Sequence, residues 1–126
     1  MNLEQYTQFD CPLDTSILVL VLDKHKDTFE FPEDSKWHFE MSMFETSHAF
    51  AAWEDVPQPL ILFDKEVFDE DWFTADHLFV ILAHEIAHIR TKSLNEELCD
   101  QIALDILKEH NLMEAHALLL DHLDRH

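Results

Sequence analysis

No glycine occurs anywhere in these 126 residues. Glycine-rich phosphate cradles and dinucleotide-binding turns need positions without a Cβ, so P-loop and Rossmann-type chemistry is excluded at once. Turns must be made by Asn, Asp, Ser and Pro. Basic residues are also scarce: 8 Lys and Arg stand against 27 Asp and Glu, a net charge of −19. Nucleic acid needs a basic footprint, and an anionic membrane surface attracts one, so neither is an expected partner. The surplus of acid reads as a solubility device, as a preference for basic peptides, or as a DNA-mimicking surface. Two cysteines, Cys11 and Cys99, make no disulfide framework and fit a reducing compartment. The longest apolar run, Ile17 to Leu22, is far too short to span a bilayer. Met1 to Gln5 has neither the basic nor the apolar stretch of a signal peptide. The expectation is a soluble, cytoplasmic protein.

What is present supports a real core. Apolar residues make up 47% of the chain, enough for one domain of this length without staples. Residues 1 to 14 read as irregular. Ser16 to Asp23 is a continuous apolar run that predicts a buried strand, followed by a charged turn over Lys24 to Asp27. Lys36 to Phe44 alternates, with Trp37, Phe39, Met41 and Met43 on one face, and predicts a half-buried strand. Ser47 to Trp53 is ambiguous between strand and short helix. Leu60 to Phe63 predicts another short buried strand, and Lys65 to Phe73 a loop with a helical turn. From Thr74, a plausible N-cap, the period becomes helical to about Arg90 or Thr91. Two further helices are expected, from Asn95 to about His110 and from Met113 to about His122. Strands first and helices after predict an α+β domain. In it, a small antiparallel or mixed N-terminal sheet packs on about three C-terminal helices, the first two forming a helical hairpin.

The residues that carry chemistry lie on that hairpin. His84-Glu85-Ile86-Ala87-His88 is H-E-x-x-H, and residues four apart share a helix face, so both imidazoles can reach one metal ion. Glu85 lies on the flank of that face, where it can act as general base toward an attacking water. A catalytic zinc ion needs a third protein ligand and one open position. Two histidines and a glutamate within an apolar helix would be costly to bury without a partner, and a metal is such a partner. Glu96 and Asp100 are also four apart, on the next helix. Antiparallel helices joined by a short turn bring residue numbers of constant sum level with one another. One such register sets Glu96 beside His88 and Asp100 beside His84. Glu96 is then the third ligand, and Asp100 the acceptor that fixes the tautomer of His84. The bland reading of both is an acidic helix start that suits the macrodipole. Glu97 is the fallback ligand, about 100° round the helix from Glu96.

H-E-x-x-H followed by Asn95, Glu96, Cys99 and Asp100 resembles the gluzincins, the thermolysin-like zinc metallopeptidases. The stretch from Val80 to His88, with Ile102, Ala103, Ile106 and Leu107 further on, is similar to the intracellular ImmA/IrrE-type peptidases, which cleave transcriptional regulators. The small size resembles that of the minigluzincins. The resemblance spans roughly residues 60 to 107, with about ten diagnostic positions. It implies zinc held by His84, His88 and Glu96, with Glu85 as the base that passes a proton to the leaving amine and Asp100 as orienter. It also implies a peptide or protein substrate lying along an edge strand, here Lys36 to Phe44 or Ser47 to Trp53. Two departures are the short spacer between His88 and Glu96 and the lack of a second domain, which normally supplies part of the cleft and the oxyanion donors. The rival reading, from the −19 charge, is a zinc-stabilised acidic binding protein without hydrolytic activity, a DNA mimic or an inhibitor.

Other residues invite weaker readings. Tyr6, His48, His110 and His116 are candidate oxyanion stabilisers. His110, His116, His122 and His126 suggest either a second metal site or solvent-facing positions on an amphipathic helix. Cys11 is a candidate thiolate latch on the zinc, and Cys99 a small residue at a helix interface.

Overall fold

The computed structural model describes residues 3–45 and 47–125. By its contacts the chain divides into two compact units, Met1–Glu70 and Asp71–His126. A mixed four-stranded sheet lies in the first and three helices in the second, the α+β order expected.

The sheet is built from β1 (Thr7–Asp10), β2 (Leu18–Leu22), β3 (Ala49–Ala52) and β4 (Leu60–Asp64). Their order across it is β1-β2-β4-β3. β2 and β4 run parallel at the centre, with Leu20 opposite Leu62, and the two edge strands are antiparallel to them. Every residue of β2 and β4 is buried. This is why both read as unbroken apolar runs: a central strand covered on both faces has no solvent side to mark with polar residues. The exception, Asp64 at the end of β4, accepts a hydrogen bond from the backbone N–H of Glu66 at 3.0 Å and so caps the 3₁₀ turn Lys65–Asp69.

Two segments differ from expectation. Residues 1 to 14 were expected to be irregular, yet Thr7–Asp10 forms a strand. It is an exposed edge with one partly buried apolar residue, Phe9, so its pairing with β2 leaves no hydrophobic pattern. Lys36 to Phe44 is not a strand. Residues 36–40 are irregular, and Met41–Glu45 is a 3₁₀ turn. Its alternating rings find ring partners in place of a ladder: Trp37 meets Trp53 edge-on at 4.7 Å between centroids, and Phe39 meets Phe44 at 5.1 Å. Ser47 to Trp53 resolves as strand, with β3 at a sheet edge.

In the second unit, α1 (Ala75–Thr91), α2 (Glu96–Glu109) and α3 (Met113–Asp124) pack on one another. Thr74 caps α1 and Asn95 caps α2, each side chain accepting a backbone N–H of the first turn. α1 and α2 contact each other, and each buries small residues, Ala83 and Ala87 on α1 and Cys99 and Ala103 on α2. None of the described helices is long and apolar enough to cross a membrane.

A chain without glycine must still make left-handed turns. The three residues with positive φ among those described are Asp55, Lys92 and Asn111. Asp and Asn tolerate that region through local hydrogen bonds, but Lys92, at φ 53° and ψ 36°, gains nothing from its side chain there. Lys92→Gly is therefore expected to stabilise the protein by about 0.5–1 kcal/mol, the relief of the Cβ clash less the added freedom of the unfolded chain. In urea unfolding, a midpoint at or below that of the parent would contradict this. Leu62→Ala, at a fully buried central position, should cost about 2–5 kcal/mol, against less than about 0.5 kcal/mol for Leu94→Ala at 75% exposure.

Candidate metal centre

The second half of α1 turns its histidines toward the start of α2. His84 and His88 are one turn apart, with ring centroids 4.7 Å apart and planes at 82°, and their Nε2 atoms approach to 3.0 Å. Glu96, in the first turn of α2, reaches both: Oε2 lies 2.7 Å from His84 Nε2 and Oε1 lies 3.4 Å from His88 Nε2. Glu97, next in sequence, is exposed, and Glu96 is the neighbour in reach of the imidazoles. Asp100, one turn further along α2, sits behind His84 with Oδ1 2.8 Å from Nδ1. Asp100 lies beside His84, and Glu96 lies nearer His84 than His88, the residue beside which the sequence register set it.

The outer partners decide the protonation of the inner nitrogens. Tautomers are assigned from hydrogen-bond partners. The Asp100 carboxylate only accepts, so His84 Nδ1 carries the proton and donates it. His88 Nδ1 faces the carbonyl oxygen of Ser93 at 2.7 Å, which also only accepts. In the neutral form of either ring this leaves the lone pair on Nε2. The two Nε2 atoms, 3.0 Å apart, and the Glu96 carboxylate therefore converge on one point. A cation placed there would be within reach of both imidazoles and the carboxylate. The separations of 2.7, 3.0 and 3.4 Å bracket the edge of a tetrahedron around zinc, roughly 3.3 Å for bonds of about 2.0–2.1 Å.

Glu85 completes the group. One ligand atom each from His84, Glu85 and His88 lies within 4.8 Å of the others, a group that could hold a metal ion. Glu85 and His88 are 8% and 6% exposed, so a carboxylate and an imidazole are both withdrawn from water here. Glu96, at 72% side-chain exposure, closes the site from the solvent side.

Cys99 lies against the same ring, its sulfur 3.3 Å from His88 Nδ1. Burial pushes its thiol above the ordinary range, and the nearby carboxylates of Glu96, Glu85 and Asp100 push the same way. Cys99 is thus a neutral packing residue that also lies beside the Nδ1–H of His88, a contact that sequence reasoning missed. Its place in the second motif offered a signal, but only proximity identifies the contact.

Tyr6, His48 and Cys11 belong to the 1–70 unit. There the Tyr6 hydroxyl donates to the Thr28 carbonyl at 2.6 Å, and Cys11 is fully buried. His110 caps α2, and His116 is half-buried on α3. Among the described residues, no group of three metal-binding side chains includes His110, His116 or His122. His126, the last member of the suggested second site, lies outside the described residues.

The tautomer argument gives Asp100 a measurable role. Asp100→Ala should weaken the affinity for a divalent metal about 10–100-fold, as loss of a carboxylate behind a ligating histidine does elsewhere, and Glu97→Ala should leave it unchanged. Calorimetric titration with Zn²⁺ reads both; equal affinities for parent and Asp100→Ala would refute the role. No protein-family model, curated protein or solved structure matches this chain.

Proposed function

We propose that this chain is a zinc-dependent metallopeptidase of gluzincin type, with zinc held by His84, His88 and Glu96. The observation that carries the reading is the convergence of two imidazole Nε2 atoms and a carboxylate, with a second, buried carboxylate beside them. Two imidazole nitrogens and one carboxylate are one of the donor sets of catalytic zinc sites. Zinc bound there supplies Lewis acidity, acidifying a water and polarising a carbonyl oxygen.

The protein's own groups do the rest. Asp100 and the Ser93 carbonyl hold the two Nδ1–H groups and so keep both rings aimed at one point. Glu85 neighbours His84 in sequence, so its side chain leaves the helix about 100° away, on the flank of the two-histidine face. That position suits a base better than a ligand. Its buried carboxylate takes a proton during attack on the scissile carbonyl and returns it to the leaving amine. A peptide substrate follows from the resemblance to gluzincins, and a preference for basic sequences from the net charge of −19.

Metal analysis and two substitutions test this. The purified protein should carry stoichiometric zinc, and Glu96→Ala should lose it. Glu85→Gln should keep the metal and lose peptide hydrolysis by about 10²–10⁴-fold, the usual contribution of a general base. Full hydrolysis by Glu85→Gln ends the mechanism; no zinc, with Glu96→Ala unchanged in metal affinity, ends the site. The −19 charge favours one second reading, a zinc-stabilised acidic binding protein. It predicts salt-sensitive binding to a basic partner and no effect of Glu85→Gln in any assay.

A further inference from the structure

Residues 28–41 of the 1–70 unit enclose a cavity of about 570 Å³, within the size range of small-ligand sites. Its chemistry is two-fold. Phe31, Trp37 and Phe39 contribute aromatic rings, and Glu30, Glu33 and Glu40 contribute carboxylates; among the described residues no Lys or Arg lines it. The rings are held by their neighbours: Trp37 against Trp53 at 4.7 Å, Phe31 against Phe29 at 5.0 Å, and Phe39 against Phe44 at 5.1 Å. The wall is therefore formed before any ligand arrives, and little ordering cost is left for binding.

The three glutamates are exposed, with His38 paired to Glu40 at 3.0 Å. An apolar occupant would gain the rings and leave the carboxylates unused. An anion would be repelled by them. A cation on a methylene stem satisfies both, because aromatic faces and carboxylates attract the head group and the rings cover the stem.

We propose that this cavity is a binding site for the side chain of a lysine or arginine in an extended peptide. The occupant is chosen by charge complementarity, between a cavity without a Lys or Arg of its own in a chain of net charge −19 and a basic side chain. The site is carried by the first unit and does not rest on the metal centre.

The test uses the full chain, labelled with ¹⁵N, and three small probes: the N-acetyl amides of lysine, arginine and norleucine. Lysine and arginine should shift the amide signals of residues 28–41 and the Trp37 indole N–H saturably. Norleucine, which has the stem without the charge, should bind about tenfold more weakly, the value of one desolvated cation–π contact. Glu30→Gln with Glu33→Gln should weaken lysine binding about five- to tenfold, with other signals and metal content unchanged. An alanine peptide with one central lysine should bind more tightly than the single residue. Equal binding of norleucine, shifts spread over the acidic surface without saturation, or Gln variants that bind like the parent would each overturn the proposal. A peptide no tighter than the lone lysine would overturn a peptide as the occupant. Binding is read without hydrolysis, so its failure leaves the metallopeptidase reading standing, and the converse holds.

Discussion

The four residues between Thr91 and Glu96 hold two helices at one register, and the candidate metal centre depends on how they do it. Lys92 adopts the left-handed conformation that turns the chain out of α1. The Ser93 carbonyl accepts the Nδ1–H of His88, and its hydroxyl accepts the N–H of Asn95 at 3.1 Å. Asn95 then caps α2 through the N–H of Leu98. The same short turn therefore sets the pairing of His84 with Asp100 and the tautomer of His88. A one-residue change in its length would rotate α2 by about 100° and carry Glu96 and Asp100 off the histidine face together.

Charge acts on this centre at two ranges. Locally, the histidine pair reaches the last turn of α1, where the helix dipole favours a cation, and Glu96 occupies the first turn of α2, where it favours an anion. At longer range, the net charge of −19 raises the local concentration of any cation, metal or basic peptide, and speeds its approach. Long-range attraction does not select among cations. Selection would fall to short-range geometry: the His84, His88 and Glu96 group on α1 and α2 for a metal ion, and the proposed site at residues 28–41 for an organic cation.

The helices were legible because each carries its own punctuation. Thr74 and Asn95 are caps that act on the turn immediately following, and the apolar period between caps and ends is local. β2 and β4 were legible because double burial writes an unbroken apolar run. β1 was hidden for the opposite reason: its ladder to β2 is made by backbone atoms, which every residue has, while its side chains face solvent. Lys36 to Phe44 misled because a period of two reports only that alternate side chains share a side. It cannot say whether a neighbouring strand or a set of rings meets them, and here it is the rings of Phe44, Phe50 and Trp53.

By itself the sequence determined the metal-binding candidates, because H-E-x-x-H on a helix and Glu96 with Asp100 one turn apart are spacings that helix geometry converts directly into shared faces. It also determined the exclusion of glycine-dependent phosphate sites and the sign of the field around the chain. Only the tertiary structure decided the rest of the centre: that Glu96 bridges both imidazoles, that Ser93 contributes a backbone carbonyl, and that Cys99 lies against His88. Those depend on distances between two helices, on a backbone atom common to all residue types, and on packing. The spacing of Glu96 and the place of Cys99 in the second motif point toward these contacts, but the distances themselves are set only by how the two helices pack. The cavity at residues 28–41 belongs to the same class, since its rings and carboxylates come together through a fold of irregular chain that has no period to read.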